Sequence, residues 1–324
     1  MFSPQLYAGG LFIKKMKDFL CINDCSTELL KELLQQSSEL KKLYKSGGRD
    51  LCLSGKTLAM LFEKPSLRTR ISFQVAMTDL GGNAIYVKPE DVGGIGEREP
   101  IKDIARVLSR YVDGIMARTF KHSTVIELAE FATVPVINAL TDFSHPCQAM
   151  ADVLTIAEHC GRLEGVKIAF IGDGNNVARS LAFACAKLDM KMVVASPAGY
   201  ELDAESIQKA NQISADSVTQ TNNPAQSVID ADIIYTDTWV SMGQEDEKQK
   251  RTKDFAGFQV NAELVKSAPA DAKIMHCLPA YRGFEITDEV AESANSIMFD
   301  QAENRLHFQR ALLKKLMSYG TQKR

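Results

Sequence analysis

Lys56-Thr57-Leu58-Ala59-Met60-Leu61-Phe62 is an apolar run, Glu63-Lys64-Pro65 breaks it, and Ser66-Leu67-Arg68-Thr69-Arg70 follows. The run is short enough for a buried strand. Helical spacing resumes from Ile71 to Leu80 through Ile71, Val75, Thr78 and Asp79. A helix therefore begins near Ser66, and strand, turn and helix follow one another within a short stretch. The free N–H groups and positive dipole end of such a helix bind anions before any side chain is counted. Ser66 and Thr69 add hydroxyls, and Arg68 adds a planar fork matched to phosphate oxygens. Taken alone, Ser66 is equally well an ordinary N-cap and the two arginines an exposed face.

Two further polar stretches tip that balance. His145-Pro146-Cys147-Gln148 follows the strand-like Val134-Pro135-Val136-Ile137-Asn138, and Pro146 suits a first helical turn. His276-Cys277-Leu278-Pro279 follows another apolar run. A parallel sheet would bring all three stretches to the carboxyl ends of strands, where open α/β sheets bind ligands. A lone His145 there is more often a packed structural residue. Beside Gln148, and with Arg118 at the end of Gly114-Ile115-Met116-Ala117, it offers donors convergent on a carbonyl oxygen. Such donors stabilise the negative charge that builds on that oxygen during nucleophilic attack.

Strand-like and helical runs alternate throughout, the signature of an α/β fold with two Rossmann-like domains, each a parallel sheet flanked by helices. Strands are expected near Thr57–Phe62, Ala84–Val87, Gly114–Ala117 and Val134–Asn138 in the first half. The second half supplies Lys167–Ile171, Lys191–Ala195, Ile233–Tyr235, Lys273–Met275 and Ser296–Phe299. No linker rich in Pro, Gly or Ser divides them, so the boundary is expected at a rigid helix, Pro146 to Cys160. Residues 16–144 then form the first domain and 145–302 the second. Residues 1–15 read as a tail ahead of Met16, expected to be poorly ordered and without the pattern of a secretory signal. Glu303 to Tyr319 carries apolar residues at Leu306, Ala311, Leu312, Leu316 and Tyr319 and reads as an amphipathic helix.

At 324 residues the chain is long enough for two cores, and its apolar fraction of 45% and charged fraction of 24% are those of a globular protein. A net charge of −3 without a basic patch argues against nucleic acid as a partner. The seven cysteines, odd in number and without framework spacing, read as reduced thiols, which suits a cytoplasmic protein. Cys21 and Cys25 lack neighbouring ligands for a zinc site. No apolar run approaches the roughly 20 residues that span a bilayer.

Two phosphate-binding look-alikes carry little weight. Gly172-Asp173-Gly174-Asn175-Asn176-Val177 resembles a dinucleotide fingerprint, but Val177 replaces its third glycine, and a tight strand-to-helix turn is the favoured reading. Ser54-Gly55-Lys56-Thr57 ends like a P-loop, yet Asp50 stands where that motif has its first glycine.

Asp237-Thr238-Trp239-Val240-Ser241-Met242-Gly243 comes straight after Ile233-Ile234-Tyr235, again at a carboxyl end. By itself Asp237 is a common turn-capping carboxylate and Cys277 a small buried hydrophobe before a proline turn. Taken together, in this order, these segments resemble the aspartate/ornithine transcarbamylase family, and the resemblance runs from Met16 through nearly the whole chain. Asp237, Ser241, Met242 and Gly243 match its ornithine-recognition segment residue for residue.

The resemblance implies carbamoyl transfer from carbamoyl phosphate to the δ-amine of L-ornithine, giving L-citrulline and phosphate. It implies that Ser66, Leu67, Arg68, Thr69, Arg118, His145, Gln148, Cys277, Leu278 and Arg305 bind carbamoyl phosphate. Asn176, Asp237, Ser241 and Met242 would bind ornithine, with Cys277 facing the attacking amine beside Asp237. It also implies that the helix from Glu303 packs back on the first domain, that no metal or cofactor takes part, and that the protein is a homotrimer or a multiple of trimers. Two positions depart from the family pattern. Leu67 stands where many members have threonine, which leaves the contact to its backbone N–H. Val92-Gly93-Gly94-Ile95 stands where many members carry a Gln or His that reaches into a neighbouring subunit, with Lys88, Glu97 and Arg98 the nearby polar substitutes. Another amine acceptor (aspartate, putrescine or an acylated ornithine) and a nonenzymatic binding subunit are the competing readings, and both directions of the reaction remain compatible with one site.

Overall fold

In the computed structural model, which describes residues 17–241 and 243–318, nine strands form two sheets, and every strand pair is parallel. The first sheet contains β1 (Thr57–Phe62), β2 (Asn83–Val87), β3 (Gly114–Arg118) and β4 (Val136–Leu140), in the order β2-β1-β3-β4. The second contains β5 (Lys167–Ile171), β6 (Lys191–Ala195), β7 (Val218–Thr221), β8 (Ile233–Thr236) and β9 (Lys273–His276), in the order β7-β6-β5-β8-β9. The α/β expectation of two helix-flanked parallel sheets is met. Each order reverses once, between β1 and β3 and between β5 and β8, and such reversals open a crevice at the strands' carboxyl ends. All three polar stretches, and the Asp237 segment, leave strands at those ends.

Four local expectations are corrected. Ser296–Phe299 is not a strand. Only Ser296 bridges to Ile274, while Met298 already begins the last helix, Met298–Met317. That helix therefore starts five residues ahead of Glu303; Tyr319 and residues 1–15 lie outside the described residues. Val134 and Pro135 precede β4, and the edge strand β7 was not foreseen because Val218-Thr219-Gln220-Thr221 has a single buried side chain. In the helix Leu67–Asp79 the core face is Thr69, Phe73, Ala76 and Met77, while Ile71 is exposed.

Two helices join the halves. Pro146–Cys160 is buried from Pro146 through Ile156, and Met298–Met317 packs against it and against the helices Thr27–Lys45 and Leu67–Asp79. One continuous apolar core includes Met60 and Phe62 of the first sheet, Phe170 and Tyr235 of the second, and Phe308 between them. Helices buried on most sides cannot show the narrow apolar stripe of a surface helix, so the spacing from Leu306 to Leu316 captured only part of the second one's contacts.

Candidate active site

A cleft of about 730 Å³ lies along the carboxyl ends of both sheets and is lined by residues of all three polar stretches and of the Asp237 segment. Pairing register explains how they meet. Phe62 lies opposite Arg118, so the turn after β1 sits beside the arginine that ends β3. Thr236 lies opposite both Ile171 and His276, so Gly172, Asp237 and Cys277 emerge side by side.

The first helix begins as its sequence requires. Ser66 is its N-cap, accepting from the Thr69 N–H at 3.3 Å, and Leu67 is 74% exposed. Ser66 is thus a cap within the cleft wall, and the helix presents its first N–H groups there. Thr69 is buried and its Oγ1 accepts from Arg305 Nη2 at 3.1 Å. Arg305 comes from the last helix and also donates from Nη1 to Gln148 Oε1 at 2.6 Å. Sequence spacing gave no hint of Arg305, which only the family resemblance supplied.

Arg68, Arg118 and Arg305 all line the cleft. Burial, and then the neighbouring Arg305 and Arg68, lower Arg118 to about 9. Burial likewise lowers Arg68 and Arg305. Among the described residues, the Nε atoms of Arg118 and Arg305 and Nδ1 of His145 are buried without a hydrogen-bond partner. His145 is held by its backbone N–H, which donates to Ser180 Oγ at 2.8 Å. Burial, then Arg305 and Arg118, push its imidazole well below its ordinary value, so it is neutral. Concentrated positive charge with uncommitted donors is a site for an anion, because charge-assisted hydrogen bonds are the strong ones.

The other wall is acidic. Asp237 is buried, and its Oδ1 accepts from the Cys277 thiol at 2.9 Å and from the Thr238 N–H at 2.8 Å. Oδ2 accepts from Asn175 Nδ2 at 2.9 Å. Burial first, then Asp237, push the Cys277 thiol well above its ordinary value, so it stays protonated and donates. Asn176 lines the cleft with its side-chain amide donating to the Thr141 carbonyl, and Ser241 is placed by its N–H donating to Gln244 Oε1 at 3.0 Å. Met242 lies outside the described residues. Leu278 lines the cleft with φ of 59°, a left-handed backbone unusual for a residue with a side chain, and its N–H donates to His276 Nδ1 at 2.9 Å.

Asp237, His276 and Cys277 also bring one potential ligand atom each within 4.8 Å of the others. They are committed elsewhere. His276 uses Nδ1 on the Leu278 N–H and Nε2 on Glu285 at 3.1 Å, while Cys277 uses its proton on Asp237. A hydrogen-bonded cluster, not a ligand set, is the reading these contacts favour.

Sequence reasoning missed Asn175, whose side chain both caps the helix Asn176–Lys187 and orients Asp237. Its place just before a helical run was the available signal. It also missed Asp173, which ion-pairs with buried Arg251 at 2.7 Å; Arg251 in turn donates to the Trp239 carbonyl at 3.0 Å and so ties the Asp237 segment to the turn after β5. That turn is tight as expected: a Cβ on Gly174 would lie 2.2 Å from the Leu202 nitrogen. The P-loop look-alike precedes β1 instead of following a strand, and Lys56 pairs with Asp113 at 3.1 Å.

Two family models also divide the chain. The carbamoyl-P binding domain of aspartate/ornithine carbamoyltransferases matches residues 17–158, and their Asp/Orn binding domain matches residues 164–316. An ornithine carbamoyltransferase of Thermococcus kodakarensis is 53% identical over 304 residues, covering 93% of this chain and 96% of its own. An anabolic ornithine carbamoyltransferase of Pyrococcus furiosus is 52% identical, covering 93% of this chain and 96% of its own. A solved structure of the ornithine carbamoyltransferase from Pyrococcus furiosus superimposes with a TM-score of 0.91 at 52% identity, covering 95% of this chain and 98% of that one.

Proposed function

The chain belongs to the aspartate/ornithine carbamoyltransferase family, and from that premise we propose that it transfers the carbamoyl group of carbamoyl phosphate to the δ-amine of L-ornithine, giving L-citrulline and phosphate. One observation carries the reading: a single cleft has arginines 68, 118 and 305 on one wall and buried Asp237 on the other. A dianionic donor and a cationic amino acid suit those two walls, whereas the second carboxylate of an acceptor such as aspartate would meet Asp237 with like charge.

The helix N-terminus at Leu67, with Ser66, Arg68 and Thr69, takes the phosphate. Arg118, neutral His145 and Gln148 take the carbonyl oxygen, and Leu278 and Arg305 complete the carbamoyl-phosphate side. Asp237 receives the α-ammonium of ornithine, Asn176 its α-carboxylate, and Ser241 and Met242 also bind ornithine, with Cys277 beside the reacting amine. The neutral δ-nitrogen adds its lone pair to the carbonyl carbon, and the donors hold the developing oxyanion. The bond between the carbonyl carbon and the bridging oxygen then breaks, phosphate leaves with those electrons, and the nitrogen's proton passes to the departing phosphate. Held together, the two substrates need no covalent intermediate on Cys277, whose raised thiol is a poor nucleophile.

Residues 16–144 with the last helix form the carbamoyl-phosphate half and residues 145–302 the ornithine half. Trimeric assembly and a cytoplasmic location, the latter supported by seven free cysteines, complete the assignment. The anabolic Pyrococcus furiosus relative supports the synthetic direction, as in arginine biosynthesis. The test is a colorimetric citrulline assay run in parallel with ornithine, putrescine, aspartate and acetylornithine. Turnover confined to ornithine is the expected result; preference for another acceptor would overturn the assignment of the Asp237 wall.

A further inference from the structure

We propose that Asp152, which lies outside the substrate-lining set, is a positioning residue that fixes which end of the Gln148 amide meets the carbamoyl group; this rests on the reading above. Asp152 is fully buried one helical turn after Gln148. Its Oδ1 accepts from Gln148 Nε2 at 2.7 Å and from Gln301 Nε2 at 2.8 Å, and its Oδ2 accepts from the Tyr235 hydroxyl at 3.1 Å. The network is anchored further on, because Gln301 Oε1 accepts from the His276 N–H at 2.9 Å. At the opposite end of the same amide, Arg305 Nη1 donates to Gln148 Oε1 at 2.6 Å.

An amide flip would therefore set the Gln148 oxygen against a carboxylate and its NH₂ against a guanidinium. With Asp152 ionised, as it is above about 7, both contacts are forbidden by donor–acceptor chemistry. Asp152 and Arg305 together lock the amide, leaving one N–H and one Oε1 lone pair for the cleft that Gln148 lines. A carbamoyl group presents an acceptor oxygen beside an NH₂ donor, so it pairs with an amide in one direction only. Inorganic phosphate lacks that pair and reports on the arginine wall alone.

The test measures kcat/KM for carbamoyl phosphate and Ki for inorganic phosphate in wild type, Asp152→Leu, Asp152→Asn, Gln148→Ala and the Gln148→Ala/Asp152→Leu double variant. Asp152→Leu removes the acceptor while keeping a γ-branched but larger side chain, and is expected to lower kcat/KM about tenfold or more, the scale of a lost hydrogen bond to a charged group, with phosphate Ki within about twofold. Asp152→Asn keeps an oxygen toward Gln148 while the Tyr235 hydroxyl accepts from the new NH₂, and is expected to restore most of the loss. Added to Gln148→Ala, the leucine costs nothing further if Asp152 acts through Gln148. Additive losses, or a phosphate Ki that moves with kcat/KM, overturn the proposal. Asp152→Ala replaces the leucine if that variant does not fold, and failure of both to fold makes Asp152 a folding determinant and also overturns it. Citrulline formation by the wild type is scored separately, so loss of the functional reading is not confused with loss of this one.

Discussion

Cys277 donates its thiol proton to Asp237 Oδ1 at 2.9 Å, across neighbouring carboxyl ends of β9 and β8. The proton stays on sulfur because burial and the carboxylate both oppose the thiolate. The thiol therefore orients Asp237 and is not a nucleophile.

Cys277→Ser retains a hydroxyl donor and is expected to keep kcat/KM for ornithine within about tenfold of wild type. Cys277→Ala leaves Asp237 short of a partner and is expected to cost roughly ten- to hundredfold, from about 1.5–3 kcal/mol for a hydrogen bond to a charged group. Iodoacetamide at pH 8 should label Cys277 slowly, as peptide mapping would reveal. Rapid labelling together with equal kinetics of the two variants would contradict the orienting role.

Arg68→Ala and Arg118→Ala are expected to impair use of carbamoyl phosphate more than ornithine binding. Each guanidinium is assigned to phosphate or carbonyl oxygen, and each loss corresponds to roughly ten- to hundredfold in kcat/KM for carbamoyl phosphate. Near wild-type kinetics in either variant would remove that arginine from the assignment.

Burial first, and then repulsion from Arg305 and Arg68, lower Arg118 to about 9, and a bound anion offsets both. Inorganic phosphate should raise the melting temperature, with stabilisation approaching about 2.7 kcal/mol at a hundredfold excess over its Kd. Chloride at matched ionic strength should do little, and Arg118→Ala should shrink the phosphate effect. A differential scanning experiment that shows no phosphate-specific shift would count against the anion wall.

Much of this was legible in the sequence because it rests on local signals. The β1 run, the Pro65 break and the Ser66 cap announced an anion-binding helix start, and His145-Pro146 announced another helix. What was not legible is partly non-local and partly local. Arg305 reaches Thr69 from 236 positions away in the chain, a contact no periodicity encodes. β7 is a polar edge strand, and Ser296–Phe299 has strand-like apolarity but joins the sheet through one bridge before the last helix takes over. Asn175 hid within a turn read for its glycines and for Asn176.

His307 is buried in the last helix between Glu303 and Arg310, and burial lowers its pKa to about 4. A depressed histidine destabilises in acid: between its unfolded value of 6.5 and about 4, the unfolded chain takes a proton that the folded chain refuses. His145 acts in the same direction. Buried Asp152, raised to about 7, acts oppositely, since below that pH the folded state holds the extra proton. Comparing His307→Gln with wild type isolates the first contribution. Its melting temperature should fall less between pH 7 and pH 5, by a few degrees, for at most about 2 kcal/mol. Parallel pH–melting curves would contradict a proton-refusing His307.

Asp237→Asn keeps shape and hydrogen-bonding capacity but removes the charge that an α-ammonium seeks. It also sets an NH₂ among the donors Cys277, Thr238 and Asn175 that now converge on the carboxylate. Ornithine kcat/KM should fall by roughly ten- to hundredfold, while carbamoyl-phosphate binding, followed by phosphate competition, persists. Wild-type activity should rise from pH 6 toward pH 8–9, because the attacking amine must be neutral and a lysine-like amine titrates at about 10.4. His145 does not contribute to that rise, since burial pushes its imidazole well below its ordinary value, whereas loss of the Asp152 proton near 7 adds to it. A flat profile, with turnover intact in Asp237→Asn, would mean that the acceptor is not held by the acidic wall.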